Sequence, residues 1–102
     1  MSIGNDQRVF TKLISKLILW AYEQGYELTF GDAWAKTGHI AGSFHYSRLA
    51  IDLNLFKDGV WLQTTEAHKP LGEHWESLDP KCTWGGRFKR ADGNHYSYGE
   101  GD

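Results

Sequence analysis

A single cysteine, Cys82, leaves no partner for an internal disulfide, so this chain must hold its fold by packing and hydrogen bonding, as suits a reducing compartment. Cys82 is expected to be a packing residue. Excess charge of one sign is also missing. Eleven Lys and Arg against thirteen Asp and Glu leave a net charge of −2, which supplies no field to gather nucleic acid. The basic cluster Arg87, Lys89 and Arg90, interleaved with Phe88, reads either as a solvated strand end or as part of a site, since Asp92 and His95 lie close by. Long apolar runs are absent as well. Lys12 and Lys16 interrupt the sequence before the apolar residues 17–21, no small-residue cleavage site follows, and no stretch reaches the roughly 20 residues of a membrane span. The expectation is a cytoplasmic chain with no membrane or nucleic-acid partner, and a monomer.

What the chain does have is rings: five each of Trp, Tyr and Phe among 102 residues. A chain of this length folds as one domain, here 1–102, around one thin core. Large rings fill such a core, and some are expected to line a groove.

The periodicities predict a small α+β domain. Over 9–21, Phe10, Leu13, Ile14, Leu17 and Ala21 recur at three- and four-residue steps, which defines one helical face. Gly25 stops that helix. A short strand is predicted over 26–30, followed by a stretch broken by Gly31, Gly38 and Gly42. The clearest strand covers 49–56, with Leu49, Ile51, Leu53 and Leu55 on one face and Ala50, Asp52 and Asn54 on the other. Lys57-Asp58-Gly59 is a turn signal, and 60–62 returns as the second arm of a hairpin. A short helix is predicted over 73–78, ended by Pro80, and strands over 84–88 and 95–98 are joined by a turn at Asp92-Gly93-Asn94. The N-terminal amphipathic helix is expected to pack on an antiparallel sheet.

Imidazole nitrogens and carboxylate oxygens are the donors a zinc ion takes, and two histidines with one aspartate would suffice to hold one. His45 and Asp52 are seven residues apart, an odd separation that puts them on opposite faces of one straight strand. Both can reach one ion only if residues 46–48 bend first. Asp92 and His95 form a second pair across the Gly93-Asn94 turn. Asp92 there either opens the turn by bonding its own backbone or serves as a proton acceptor beside a metal. His39, His68 and His74 read as solvated, with His39 able to approach from the glycine-rich loop. Spacing alone does not single out a metal site.

The run from Ser43 to Asp52, S-F-H-Y-S-R-L-A-I-D, resembles the S-x-H-x-x-G-x-A-x-D signature of the D-alanyl-D-alanine carboxypeptidase-like zinc peptidases through Ser43, His45, Ala50 and Asp52. Trp84-Gly85-Gly86, followed by Asp92-Gly93-Asn94-His95-Tyr96, resembles that family's closing W-G-G…D/E-x-x-H-[FY] segment, in the right order. The resemblance extends over about 30–98, and its nearest flavour is the phage endolysin branch that cleaves the L-alanyl-D-glutamate bond of peptidoglycan. It implies zinc held by His45, Asp52 and His95, Asp92 as the catalytic acid–base group, and a bacterial stem peptide as substrate, reached after release of the protein by lysis.

Two departures accompany the match. Arg48 stands where the signature has glycine, and Ala35 and Lys36 occupy the region where the family commonly places a substrate-binding arginine. The stretch 35–42 also looks short. Arg48 or Arg87 can supply a guanidinium for a substrate carboxylate, with Ser43 and Trp84 as further substrate contacts. The same departures suit an alternative, a non-catalytic phage or prophage module that keeps the zinc and binds or builds wall structure.

Overall fold

The computed structural model describes residues 2–34 and 43–99. Its order is α1 (Ile3–Glu23), β1 (Glu27–Phe30), β2 (Ala50–Lys57), β3 (Val60–Leu62), α2 (Thr65–Leu78), β4 (Cys82–Trp84) and β5 (His95–Tyr98). The expected α+β class, with an antiparallel sheet and an N-terminal helix on it, is what the chain adopts.

The first helix is longer than the apolar repeat alone suggested, because its ends are set by capping. Ser2 accepts a hydrogen bond from the Asn5 backbone N–H through its hydroxyl, and Gly25 at φ 89° ends the helix in the left-handed region open to glycine. The buried face is the predicted one, Phe10, Leu13, Ile14, Leu17 and Ala21. Each large apolar side chain buried this way contributes about 1.5–3 kcal/mol.

The sheet runs β1-β2-β5-β4, with β3 also paired to β2. All pairings are antiparallel. β2 is therefore the spine: β1 lies along one edge, while β5 and then β3 share the other. Ile51, Leu53 and Leu55 are buried in the core as the alternation required. At the Lys57-Asp58-Gly59-Val60 turn both central residues have positive φ, 51° and 77°, the geometry that a two-residue Asp-Gly hairpin loop takes to match strand twist.

Two expectations about the C-terminal half need correction. The second helix begins at Thr65, not near Glu73, capped by the Thr64 hydroxyl on Ala67 N–H, and it passes through Pro70. Its buried face is His68, Leu71, Gly72 and Trp75, related by three- and four-residue steps that cross the proline. Burial of that face outweighs the one backbone hydrogen bond that proline removes. The Trp75 indole N–H also pins α2 to the sheet, at 3.1 Å from both the Thr83 and Ser97 carbonyls. Second, the strand expected over 84–88 ends at Trp84, and Gly85–Arg87 forms a 3₁₀ turn. Cys82 is buried, and burial pushes its thiol up to about 12, consistent with a packing role.

Candidate metal centre

Residues 44–48 make the bend that His45 and Asp52 need. Leu49 N–H donates to the Phe44 carbonyl at 3.0 Å and Arg48 N–H to the His45 carbonyl at 3.3 Å, the paired bonds of a Schellman-type helical stop. The left-handed residue of that stop is Arg48, at φ 58°. Glycine takes this conformation without cost, whereas an L side chain there costs on the order of 1 kcal/mol. The chain keeps the backbone shape that the signature's glycine serves, and Arg48 lays its guanidinium over the Trp34 ring at 4.4 Å. Ser43 Oγ accepts the His45 N–H at 3.3 Å, so Ser43 helps to set the histidine.

Asp52 is held on both sides. Its backbone N–H donates to the Asp32 carbonyl and its carbonyl accepts from Gly31 N–H, both at 2.8 Å. A side chain at Gly31 would sit 3.0 Å from Asp52 Cβ, so glycine permits this close approach. Across the sheet Asp52 is directly opposite His95, and opposed residues in an antiparallel pair carry their side chains on the same face.

The three side chains converge. Asp52 Oδ1 lies 3.2 Å from His45 Nε2 and 3.7 Å from His95 Nδ1, and the ligand atoms of all three fall within 4.8 Å of one another. Zinc with bonds of about 2.1 Å to a tetrahedron of N and O donors separates neighbouring donors by about 3.4 Å, the range seen here. Asp52 Oδ1 is buried with no hydrogen bond of proper geometry among the described residues, as suits an oxygen reserved for a cation. Burial alone would raise the Asp52 carboxyl. The two imidazoles overcome it and hold the group at about 2, so it stays ionised throughout the useful pH range. His45, Asp52 and His95 can therefore hold a metal.

Asp92 flanks this cluster. Its Oδ2 is 3.9 Å from His95 Nδ1, and its side chain is 54% exposed, which leaves it reachable by substrate. Its position depends on a supported turn. His95 N–H donates to the Asp92 carbonyl at 3.2 Å and Asp92 N–H to the Gly85 carbonyl at 2.9 Å, while the Trp84 indole N–H donates to the Gly93 carbonyl at 2.7 Å. A methyl group at Gly85 would sit 2.4 Å from the Asp92 carbonyl oxygen and 2.8 Å from His95 Cβ. The Trp84-Gly85-Gly86 motif thus shapes the turn that presents Asp92 and His95.

The expected substrate contacts fare differently. Trp84 is only 3% exposed, so it supports the turn from inside and does not face a ligand. The Arg87 guanidinium is gripped by Glu76 at 2.6 and 2.9 Å, which commits its two-pronged face to a neighbouring helix. Arg48 is occupied with Trp34. Ala35, Lys36, His39 and the short stretch 35–42 lie outside the described residues.

The two histidines expected at the surface also move. His74 stacks on Trp20 with rings 4.1 Å apart. His68 is 2% exposed, and its Nδ1 is 2.8 Å from the Tyr96 hydroxyl; burial lowers this imidazole to about 4. Sequence reasoning missed it, although the spacing of His68, Leu71, Gly72 and Trp75 marks a helical inner face.

The D-alanyl-D-alanine carboxypeptidase family matches residues 35–98, and the chain belongs to that family. A comparison with the curated proteins finds no match.

Proposed function

We infer that the protein is a zinc-dependent peptidoglycan peptidase of the endolysin kind, hydrolysing an L-alanyl-D-glutamate or D-alanyl-D-alanine amide bond. The observation that carries this reading is the convergence of His45, Asp52 and His95 beside an exposed Asp92, in a chain of a carboxypeptidase family. His45, Asp52 and His95 would hold the ion. When bound, zinc supplies a Lewis acid for the scissile carbonyl and acidifies water to a pKa of roughly 7.

The chain's own residues do the rest. Asp92 accepts the proton of the attacking water and delivers it to the leaving amine, a shuttle suited to a carboxylate that is partly solvated and close to the ligands. Asp52, anionic at every working pH, offsets the cation's charge and orients both imidazoles. The Gly85–Trp84 support keeps Asp92 and His95 in one register. A guanidinium for a substrate carboxylate would come from Arg48 on release from Trp34.

Two measurements test this. Elemental analysis of purified protein is expected to give about one zinc per chain, and mass spectrometry of digested muropeptides is expected to reveal a new amine on D-glutamate or on D-alanine. Stoichiometric binding of peptidoglycan without release of amines over hours would instead favour a non-catalytic wall-binding module, a reading supported by Ala35 and Lys36 standing where the family commonly has a substrate-binding arginine. Less than about half an equivalent of metal, with no gain on adding zinc, would overturn the metal-dependent reading altogether.

A further inference from the structure

A polar cleft of about 290 Å³ opens beside Asp92, walled by Trp61 and Gln63, by Thr65 and His68 at the start of α2, and by Asp92 and Asn94. Asp92 therefore belongs to both the metal centre and this cleft. The least expected wall residue is His68, which is almost completely buried yet lines the space.

The partner of His68 settles where its proton lies. Tyr96 is fully buried, and His68 Nδ1 is the one hydrogen-bond partner of its hydroxyl among the described residues. A phenol carries one proton. Were Nδ1 to donate to the phenol oxygen, that proton would be left buried without an acceptor, at a cost of about 1–3 kcal/mol. With the hydroxyl donating to Nδ1 the pair is satisfied, and the neutral imidazole carries its proton on Nε2. Nε2 has no hydrogen-bond partner among the described residues. His68 thus offers the cleft one fixed N–H donor.

Charge selects what that donor meets. No Lys or Arg lines the cleft among the described residues, and the Asp92 carboxylate stands on its wall. A carboxylate ligand would face the Asp92 carboxylate with no Lys or Arg on the described walls to pair with it, whereas a neutral amide carbonyl meets donors on Gln63, Asn94, Thr65 and His68. We propose that this cleft is a peptide subsite, in which His68 donates from Nε2 to a backbone carbonyl of the substrate and so positions the chain running past Asp92. The proposal rests on the peptidase reading for its substrate, but it assigns His68 a positioning part that the metal centre does not require.

Long-range proton–nitrogen NMR on zinc-loaded protein tests it, with a stem peptide of alternating L and D residues, blocked at both termini, as the probe. The expected result is an Nε2-protonated His68 in the free protein and a saturable shift of that proton when the peptide is added. In turnover assays His68→Gln is expected to raise KM about three- to tenfold, the worth of one neutral hydrogen bond, with kcat within about twofold and zinc content unchanged. An Nδ1-protonated ring, or hydrolysis by a protein whose His68 signals ignore the peptide and whose variant keeps its KM, would overturn the subsite and leave the peptidase standing. A saturable His68 shift without any hydrolysis would keep the subsite and remove the peptidase. The wild-type signals decide the matter even where H68Q does not fold.

Discussion

Two groups of buried histidine stand on either side of the Asp92 turn. His45 and His95 are 2% and 5% exposed, and His68 is 2% exposed, so burial does not distinguish them. Their partners do. His45 and His95 converge on the carboxylate of Asp52, which assembles three donors and one negative charge, a set that can hold a divalent cation. Among the described residues the His68 ring hydrogen-bonds only to the Tyr96 phenol, a neutral partner, and burial favours its uncharged form. What a buried imidazole converges on decides whether it can serve as a metal ligand.

The sharpest break of that contrast is Asp52→Asn. The shape is kept but the charge is removed, and zinc affinity and hydrolysis are each expected to fall by on the order of 10³-fold or more, read by chelator competition and by amine release. Asp92→Ala should leave the zinc in place and lower kcat by about 10²- to 10⁴-fold; unchanged wall lysis with zinc retained would refute its proton-transfer role.

The neutral cluster has its own signature in pH. The His68 imidazole titrates near 6.5 unfolded and at about 4 folded, so its contribution to stability is fully present above pH 6.5. It is lost as the pH falls from 6.5 through 4, because the unfolded chain then binds a proton that the folded one refuses. The loss approaches about 3 kcal/mol at the low end. Denaturant titrations across that window should show it in the wild type and not in His68→Gln.

Smaller effects probe the supports. Gly85→Ala forces a methyl against the Asp92 carbonyl and is expected to cost about 1–3 kcal/mol, with activity falling more than stability because the displaced turn carries Asp92 and His95. Arg48→Gly exchanges relief of a left-handed arginine, roughly 1 kcal/mol, for loss of its contact with Trp34, about 0.5–1 kcal/mol. Its thermal midpoint should hardly move, and a KM rise would reveal a substrate contact for Arg48.

Several features were determined by the sequence alone. The apolar repeat from Phe10 to Ala21 and the alternation from Leu49 to Leu55 specify a helix face and a strand face, because side-chain direction follows from backbone period whatever the rest of the chain does. The Asp58-Gly59 turn follows from local backbone preference in the same way. The two motifs, read by resemblance, named the four residues His45, Asp52, Asp92 and His95 before any contact was visible.

Other features were decided only by tertiary structure. Helix α2 runs through Pro70 because the burial of Leu71 and Trp75 against the sheet outweighs a local penalty, and no local rule weighs the two. Trp84 turned inward, Arg87 was taken by Glu76, and His68 went from surface to core, since each outcome depends on what a distant segment brings near. The site itself divides along the same line. The chemistry of its donors is written in the residue types, but the convergence of His45 and Asp52 came from a left-handed Arg48, and that of Asp52 and His95 from strand register. A one-residue slip of β5 would have turned His95 to the opposite face. Register is fixed by the summed pairing of β2, β4 and β5, a property of the whole sheet.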